Sequence, residues 1–204
     1  MKKAAATDLT ALDGRFRRGE RSRQAIVAAL VELVGRGILQ PTAQQVADQA
    51  GVGIRSVFRH FSEMESLYAA MDARLETDAV PILRGGSRTG TLEQRVTGLV
   101  RQRAALFERI APYKRSANLL RWRSRFLQGR HRRLQEGLRE DLVAWLPELK
   151  GAPADLVEAL DLALGFEAWD ALRSDRGLST KLAMAVLERT ARALTGELAA
   201  RRAR

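Results

Sequence analysis

The chain has 204 residues, of which 46% are hydrophobic and 29% charged, a balance typical of a soluble globular protein with one or two domains. It contains no cysteine, which excludes disulfide frameworks and thiolate chemistry, and its two histidines leave little for general-base or metal-ligand roles. The formal net charge of +11 favours a polyanionic partner, although a basic helical surface that binds nothing has the same charge.

Targeting signals are not visible in the sequence. No apolar run approaches the roughly eighteen residues of a membrane span, and the lysines near the N-terminus precede no apolar stretch. We therefore expect a cytoplasmic protein that does not enter a membrane. Residues 1–19 are expected to form a flexible basic arm.

The N-terminal third predicts four helices. The first covers about residues 20–34 and ends near Gly35. Thr42 is the expected N-cap of a short second helix, and a turn at Gly51 precedes a third helix over about 53–60. The sequence favours Ser62 as the N-cap of the fourth helix, which Pro81 would kink or stop.

The rest of the chain is also helical by periodicity, and a glycine-rich loop over residues 85–90 separates it from the first four helices. Pro112 is expected to start a new helix, and Gly129 to divide a further pair. The last two helices are expected over about 154–174 and 179–200. The fold class is therefore all-α with about nine helices, a three-helix head over 20–67 and a helical domain over 68–204.

The segment from residue 43 to residue 61 carries the functional prediction, because it meets the requirements of a helix-turn-helix. Ala47 is small enough for close helix packing, and Gly51 suits the positive φ of the turn. The expected apolar cluster between the two helices is formed by Val46, Ala50, Val52, Val57 and Phe61. The remaining face of the second helix holds side chains that suit base edges and phosphates in a major groove: Ile54, Arg55, Ser56 and Arg59.

The same segment resembles the DNA-binding domain of the tetracycline-repressor (TetR) family of one-component regulators. The matching positions are Thr42, Val46, Ala47, Ala50, Gly51, Val52, Val57, Phe58, Arg59, His60, Phe61 and Leu67. The resemblance covers about residues 21–68. The remainder agrees only in its length, its helix content and the place of its linker.

The resemblance implies a role in DNA binding for eight residues: Thr42, Gln44, Ile54, Arg55, Ser56, Phe58, Arg59 and His60. Thr42 would bind a phosphate and Gln44 a phosphate or a base, while Arg55 and Ser56 would read bases. Ile54 would touch a thymine methyl group, and the last three residues would lie along the backbone. Taken singly, each of these side chains is also consistent with an ordinary solvated or helix-end position.

Three positions depart from the family pattern. Phe58 stands where a tyrosine is usual, which removes a hydroxyl contact to phosphate. Gly53 replaces a capping serine, and Met64 replaces a lysine at the start of the fourth helix. These changes leave more of the phosphate affinity to Arg59 and to the basic arm.

The C-terminal helices predict a dimer interface. The penultimate helix is apolar nearly all round, so it is expected to be buried on more than one face. The expected interface residues are Leu160, Leu164, Leu172, Leu182 and Val186. A dimer places two recognition helices on a palindrome, and the resemblance implies the same assembly.

The second domain is also a candidate ligand site, since family members generally hold an inducer there. The candidate lining residues are Phe107, Arg121, Trp122, Arg125, Phe126, Trp145 and Trp169, although an ordinary core or surface position is the simpler account of each. The basic stretch from residue 114 to residue 139 is either a solvated helix face or a site for an anionic ligand at Arg121 and Arg125.

The residues and the resemblance together predict a sequence-specific, DNA-binding bacterial regulator that binds a palindromic operator as a homodimer. The resemblance implies that a small molecule releases it. Repression is implied by the resemblance alone. The alternative is a basic helical protein that binds nucleic acid or acidic membrane without reading sequence. An enzyme is not expected, because no nucleophile–base pair or metal cluster is visible, and no cofactor is expected either. The operator and the inducer are not readable from the sequence.

Overall fold

The computed structural model describes the backbone of residues 2–202 and the side chains of residues 16–196, and the regular structure of that part of the chain is helical. The α-helices are α1 (Lys2–Gly35), α2 (Ala43–Ala50), α3 (Ile54–His60), α4 (Met64–Arg84), α5 (Leu92–Leu120), α6 (Arg125–Trp145), α7 (Ala154–Ala163), α8 (Phe166–Asp170) and α9 (Thr180–Arg202). Short 3₁₀ turns cover Arg121–Arg123 and Pro147–Leu149, and a π-helical turn covers Ala171–Asp175. The predicted all-α fold class is confirmed.

Helix α1 begins at Lys2, upstream of the expected start at residue 20. The expected flexible arm over 1–19 falls mainly on residues whose side chains lie outside the described part. Further along α1, Ile26, Leu30 and Val34 are fully buried at a spacing of four residues. This stripe packs α1 against the helices that follow.

Two predicted interruptions are wrong, since Pro112 lies inside α5 and α6 continues through Gly129. Pro81 lies inside α4 and does not stop the helix at that position, while the predicted kink stays a prediction. A proline removes one helical hydrogen bond because it lacks the amide hydrogen, yet the helix continues when packing favours it. Ser62 also lies outside α4, which starts at Met64, so Ser62 is not the residue that immediately precedes the helix.

One predicted helix is divided instead. The helix expected over 154–174 breaks at Leu164 and Gly165, between α7 and α8. A Cβ atom at Gly165 would lie 3.1 Å from the carbonyl oxygen of Asp161, so a larger residue at this turn would be tightly packed against the backbone of α7.

The residues fall into two compact units that do not follow the chain order. Unit 1 contains Met1–Leu75 and Pro112–Phe126, and unit 2 contains Glu76–Ala111 and Leu127–Arg204. Helices α4 and α5 therefore contribute to both units. The sequence gives no sign that residues 112–126 would pack with the N-terminal helices.

Hydrogen bonds attach the segment 112–126 to the rest of unit 1. The Ser116 hydroxyl donates to the carbonyl oxygen of Leu39 at 2.6 Å, and the Ser124 hydroxyl donates to the carboxylate of Glu65. Tyr68 lies in the same core, where burial raises the pKa of its phenol and a hydrogen bond with Ser116 partly opposes the rise. The segment is thus a structural part of the N-terminal unit.

The interior of unit 2 contains arginines paired with carboxylates. Arg95 pairs with Glu148, and this hydrogen bond raises the pKa of the Arg95 guanidinium. The buried carboxylate of Asp141 lies 2.7 Å from Arg88 and 3.3 Å from Arg103. Burial lowers the pKa of Arg103 to about 10, while the charge of Asp141 opposes that change. These pairs balance charges that would otherwise be costly to bury.

Candidate nucleic-acid interface

The N-terminus of α2 is closed by a complete capping box. The Thr42 hydroxyl accepts a hydrogen bond from the Gln45 backbone N–H at 3.2 Å, and the Gln45 side chain accepts from the Thr42 backbone N–H at 2.8 Å. The predicted N-cap is confirmed. The role of Gln45 was not predicted, although a threonine followed three residues later by glutamine is the signal for it.

The turn between α2 and α3 depends on Gly51. Its φ of 64° and ψ of 34° lie in the left-handed region, as the sequence predicts. No heavy atom lies within 4 Å of the position that a Cβ would occupy there, so it is the backbone conformation and not a lack of space that favours glycine. The Val52 N–H donates to the carbonyl oxygen of Ala47 at 3.0 Å and closes the turn.

The predicted apolar cluster holds the two helices together. Val46, Ala47, Val57 and Phe61 are buried, and Ala50 and Val52 pack against them. On the outside of this cluster, the guanidinium of Arg23 in α1 lies 5.2 Å from the centroid of the Phe61 ring. The helix-turn-helix is thereby fixed to α1.

Helix α3 turns two arginines towards solvent. Val57 is 1% exposed, and because each residue rotates the helix by roughly 100°, Arg55 and Arg59 lie on the opposite face. Both are exposed. The Arg59 guanidinium donates to the Ser56 hydroxyl at 3.3 Å, whereas no side chain in the described residues pairs with Arg55.

The remaining predicted contacts differ in how accessible they are. Thr42 and Gln44 are exposed at the start of α2, where the Gln44 amide donates to Asp48 at 2.7 Å. Ile54 is 37% and Phe58 50% exposed.

His60 is the least accessible of the predicted contacts. It is half-buried, and its Nε2 atom is buried without a hydrogen-bond partner. Its Cε1 atom faces α1, 3.9 Å from where a Cβ of Gly19 would lie. The imidazole therefore packs between helices rather than projecting from the surface.

The departures from the family pattern have structural counterparts. Gly53 is the N-cap of α3 at a φ of −70°, and no side chain caps the helix there. Met64 is half-buried and packs against the core of unit 1. Where the family pattern has a lysine, this chain therefore has an apolar contact with the core.

The predicted dimer-interface residues divide into two groups. Leu160, Leu164 and Leu172 are 0%, 2% and 7% exposed and belong to the core of unit 2, so the protomer itself buries them. Leu182 is 50% exposed and Val186 is half-buried. Leu162 on α7, which the sequence analysis did not single out, is 74% exposed.

The predicted ligand residues are distributed over both units. Phe107, Trp145 and Trp169 lie in the core of unit 2, where Phe107 packs edge-on against Phe166 and the Trp169 N–H donates to Glu108 at 3.1 Å. The others belong to unit 1: Arg121, Trp122, Arg125 and Phe126. Trp122 is 77% exposed, and its ring lies against Arg123.

One cavity in unit 2, of about 420 Å³, includes a predicted ligand residue. It is lined by Ile82, Gly85, Gly86, Ser87, Gly98, Arg101, Gln102 and Trp145. The Trp145 ring fits closely against Gly98, where a Cβ would lie 2.5 Å from the indole. Buried Gln102 Oε1 and Trp145 Nε1 have no hydrogen-bond partner.

Part of the basic stretch over 114–139 is paired within the chain. Arg130 lies 2.9 Å from Glu76, and Arg139 contacts Glu158 at 2.6 Å and Asp161 at 3.2 Å. These arginines are held by carboxylates of unit 2. The stretch is therefore not uniformly solvated, and the anion site at Arg121 and Arg125 stays a prediction.

Two further properties of the described residues bear on function. No helix among them is both long and apolar enough to cross a bilayer. Within the same part of the chain, no cluster of three or more histidine, aspartate or glutamate side chains is arranged to hold a metal ion.

Comparison with known proteins identifies the N-terminal segment. Residues 25–71 match the profile of the bacterial regulatory proteins of the tetR family. This range contains α2, α3 and the eight residues predicted to contact DNA. No curated protein matches the chain.

Solved structures share the fold. A tetR-family transcriptional regulator from Streptomyces coelicolor is 19% identical with a TM-score of 0.68, over 89% of this chain and 83% of that one. A transcriptional regulator from Rhodococcus sp. RHA1 is 20% identical with a TM-score of 0.60, over 88% and 96%. A TetR regulator from the same Rhodococcus is 19% identical with a TM-score of 0.52, over 86% and 96%.

Proposed function

We propose that this chain is a DNA-binding transcriptional regulator of the TetR family, which binds a palindromic operator as a homodimer and represses transcription until a small molecule releases it. The observation that carries the DNA-reading part is the outer face of α3. Exposed Arg55 and Arg59 lie there on a helix that a capped and turned helix-turn-helix holds in place. The protein would act in the cytoplasm.

The proposed contacts follow from accessibility. Arg55, whose guanidinium is not engaged by any described side chain, is the main base reader, with a guanine as its best partner. Ser56 and Arg59 contact the DNA beside it. Thr42 and Gln44 bind phosphate at the exposed N-terminus of α2, where the helix dipole favours an anion. The half-buried His60 contributes by fixing α3 against α1.

The proposed dimer uses the apolar side chains that unit 2 leaves exposed. Leu162 on α7 and Leu182 on α9 are 74% and 50% exposed, and the two helices contact each other. Val186, one turn beyond Leu182, is half-buried. A partner subunit that covers these side chains removes their apolar surface from water and sets the separation of the two heads.

The proposed ligand site is the cavity beside Trp145. Its volume of about 420 Å³ lies in the range of small-molecule pockets, and the indole supplies an apolar wall. Exposed Arg101 also lines it, and no described side chain pairs with Arg101. An apolar molecule that carries an anionic group suits this combination.

Selection of bound duplexes from a random DNA pool at physiological salt tests the function. The wild type is compared with Arg55→Ala and with Arg132→Ala, which removes the same charge from an exposed position in unit 2. We expect a palindromic motif from the wild type and from Arg132→Ala, and a lost or relaxed motif from Arg55→Ala. Indiscriminate recovery by all three proteins would instead identify a non-specific basic protein.

A further inference from the structure

Two apolar side chains on α3 are partly exposed and lie outside the core of unit 1. Ile54 is 37% and Phe58 50% exposed, whereas Val57 on the same helix is 1% exposed and belongs to the core. Ile54 and Phe58 are four residues apart, so they lie on the same side of the helix. That side borders the arginine face formed by Arg55 and Arg59.

The outer surface of α3 therefore consists of an apolar strip beside a cationic strip. In the major groove the apolar group that a base edge presents is the C5-methyl group of thymine, while guanine presents the acceptors that suit arginine. Phe58 has no hydroxyl or other polar atom, so it cannot form a side-chain hydrogen bond to a phosphate. Its chemistry suits a base methyl group instead.

The resemblance implies that Ile54 touches a thymine methyl group. We propose that Phe58 also reads a thymine methyl group next to the bases read by Arg55, which makes Phe58 a specificity-determining residue rather than a backbone contact. The proposal rests on the proposed DNA-binding function. Exposed apolar residues also occur in protein interfaces, but here the neighbouring arginines favour a polyanion. When a base at this position has no methyl group, the apolar contact with Ile54 or Phe58 is lost and binding is weaker. This difference in affinity is the contribution of the two side chains to specificity.

Replacement of thymine by deoxyuridine tests this directly, because uracil lacks only the methyl group. The preferred duplex from the selection is synthesised with deoxyuridine at one thymine position at a time, symmetrically in both half-sites, and the Kd of the wild type is measured. We expect one or two positions at which each lost methyl group weakens binding about fourfold, the effect of exposing one buried carbon.

Two variants assign the effect to the side chains. In Phe58→Ser and Ile54→Ser, we expect the Kd values for the thymine and deoxyuridine duplexes to converge at a sensitive position. Phe58→Tyr is the matched control, since it keeps the ring and is expected to keep the methyl preference. Helix content measured by circular dichroism establishes that the variants are folded, and the wild-type comparison needs no variant.

Three results would overturn the inference. The first is a preferred duplex that the wild type binds equally well with thymine or deoxyuridine at every position. The second is a methyl preference that persists unchanged in both serine variants, which would assign it to other residues. The third is a pool that yields no preferred duplex, which would overturn the proposed function as well. The first two results leave sequence-specific binding intact and overturn only the inference about the methyl groups. The third overturns the proposed function as well, so the two outcomes can be told apart.

Discussion

The arginines of α3 and those in the interior of unit 2 have opposite environments. In α3 of unit 1, Arg55 and Arg59 are exposed, and no described carboxylate pairs with either of them. In unit 2, Arg95 and Arg103 are buried, and each lies against a carboxylate. The net charge of +11 counts both kinds alike, so only exposure and pairing show which arginines are available to a polyanion.

Glycine shows the same contrast. At Gly51 in unit 1 there is room for a side chain, and the φ of 64° is what favours glycine. At Gly98 in unit 2 there is no room, because the Trp145 ring occupies the place of a side chain. The helix-turn-helix depends on backbone conformation, and the outer face of α3 stays exposed. Unit 2 depends on close interior packing and paired charges.

The largest expected effect comes from breaking the charge pairing in unit 2. Asp141→Ala leaves Arg103 buried and Arg88 without its carboxylate, which should lower the free energy of unfolding by about 3–5 kcal/mol. Urea unfolding followed by tryptophan fluorescence measures it, because Trp145 and Trp169 are buried in this unit. The exposed neighbour Glu140→Ala is the control, and an equally small loss in both variants would contradict the structural role of the pair.

A smaller loss is expected at the Trp145 contact. Gly98→Ala places a Cβ atom 2.5 Å from the indole, so unit 2 must shift, at a cost of about 1–3 kcal/mol. Gly137→Ala is the matched control, since no atom lies within 4 Å of its Cβ position on α6. Thermal unfolding should give a lower melting temperature for Gly98→Ala than for Gly137→Ala. Equal melting temperatures would show that the Trp145 ring leaves room for a Cβ atom at Gly98.

In the helix-turn-helix, the stability of the turn depends on the backbone conformation of Gly51 rather than on side-chain packing. Gly51→Ala forces a side chain into the left-handed region and should cost about 1–2 kcal/mol in the stability of unit 1. Gly51→Asn should cost less, because asparagine tolerates this conformation. Hydrogen exchange of the α2 and α3 amides measures the loss, and alanine as harmless as asparagine would argue against the positive φ.

The smallest effect is expected at the cap of α2. Thr42→Ala removes the acceptor for the Gln45 N–H and should cost about 1 kcal/mol, whereas Thr42→Ser keeps the hydroxyl. Exchange of the first amides of α2 separates the two variants. If serine and alanine exchange alike, the capping box contributes nothing to the head.

The local features of the head were predictable from sequence because they depend on neighbouring residues. The Thr42 cap, the positive φ of Gly51 and the burial of Val46 and Val57 follow from propensity and spacing. The arginine face of α3 follows from the same helical periodicity. These predictions are confirmed by the structure, whereas the DNA contacts themselves remain predictions.

The features that were not predictable depend on distant parts of the chain. The helix through Pro112 and the packing of residues 112–126 in unit 1 require contacts with residues far away in sequence. The apolar stripe of α7 does not show whether its own domain or a second subunit covers it, and Leu160 and Leu164 are buried by the protomer itself. Whether an arginine is paired depends likewise on tertiary neighbours such as Glu148.

The most direct test of sequence reading by α3 is the ratio of Kd values for a scrambled and a preferred duplex at physiological salt. Our account predicts a ratio of roughly a thousand or more for the wild type. It predicts the same ratio for Arg132→Ala and a ratio about 10- to 100-fold lower for Arg55→Ala. A wild-type ratio near one, or an equal ratio in Arg55→Ala, would contradict the account.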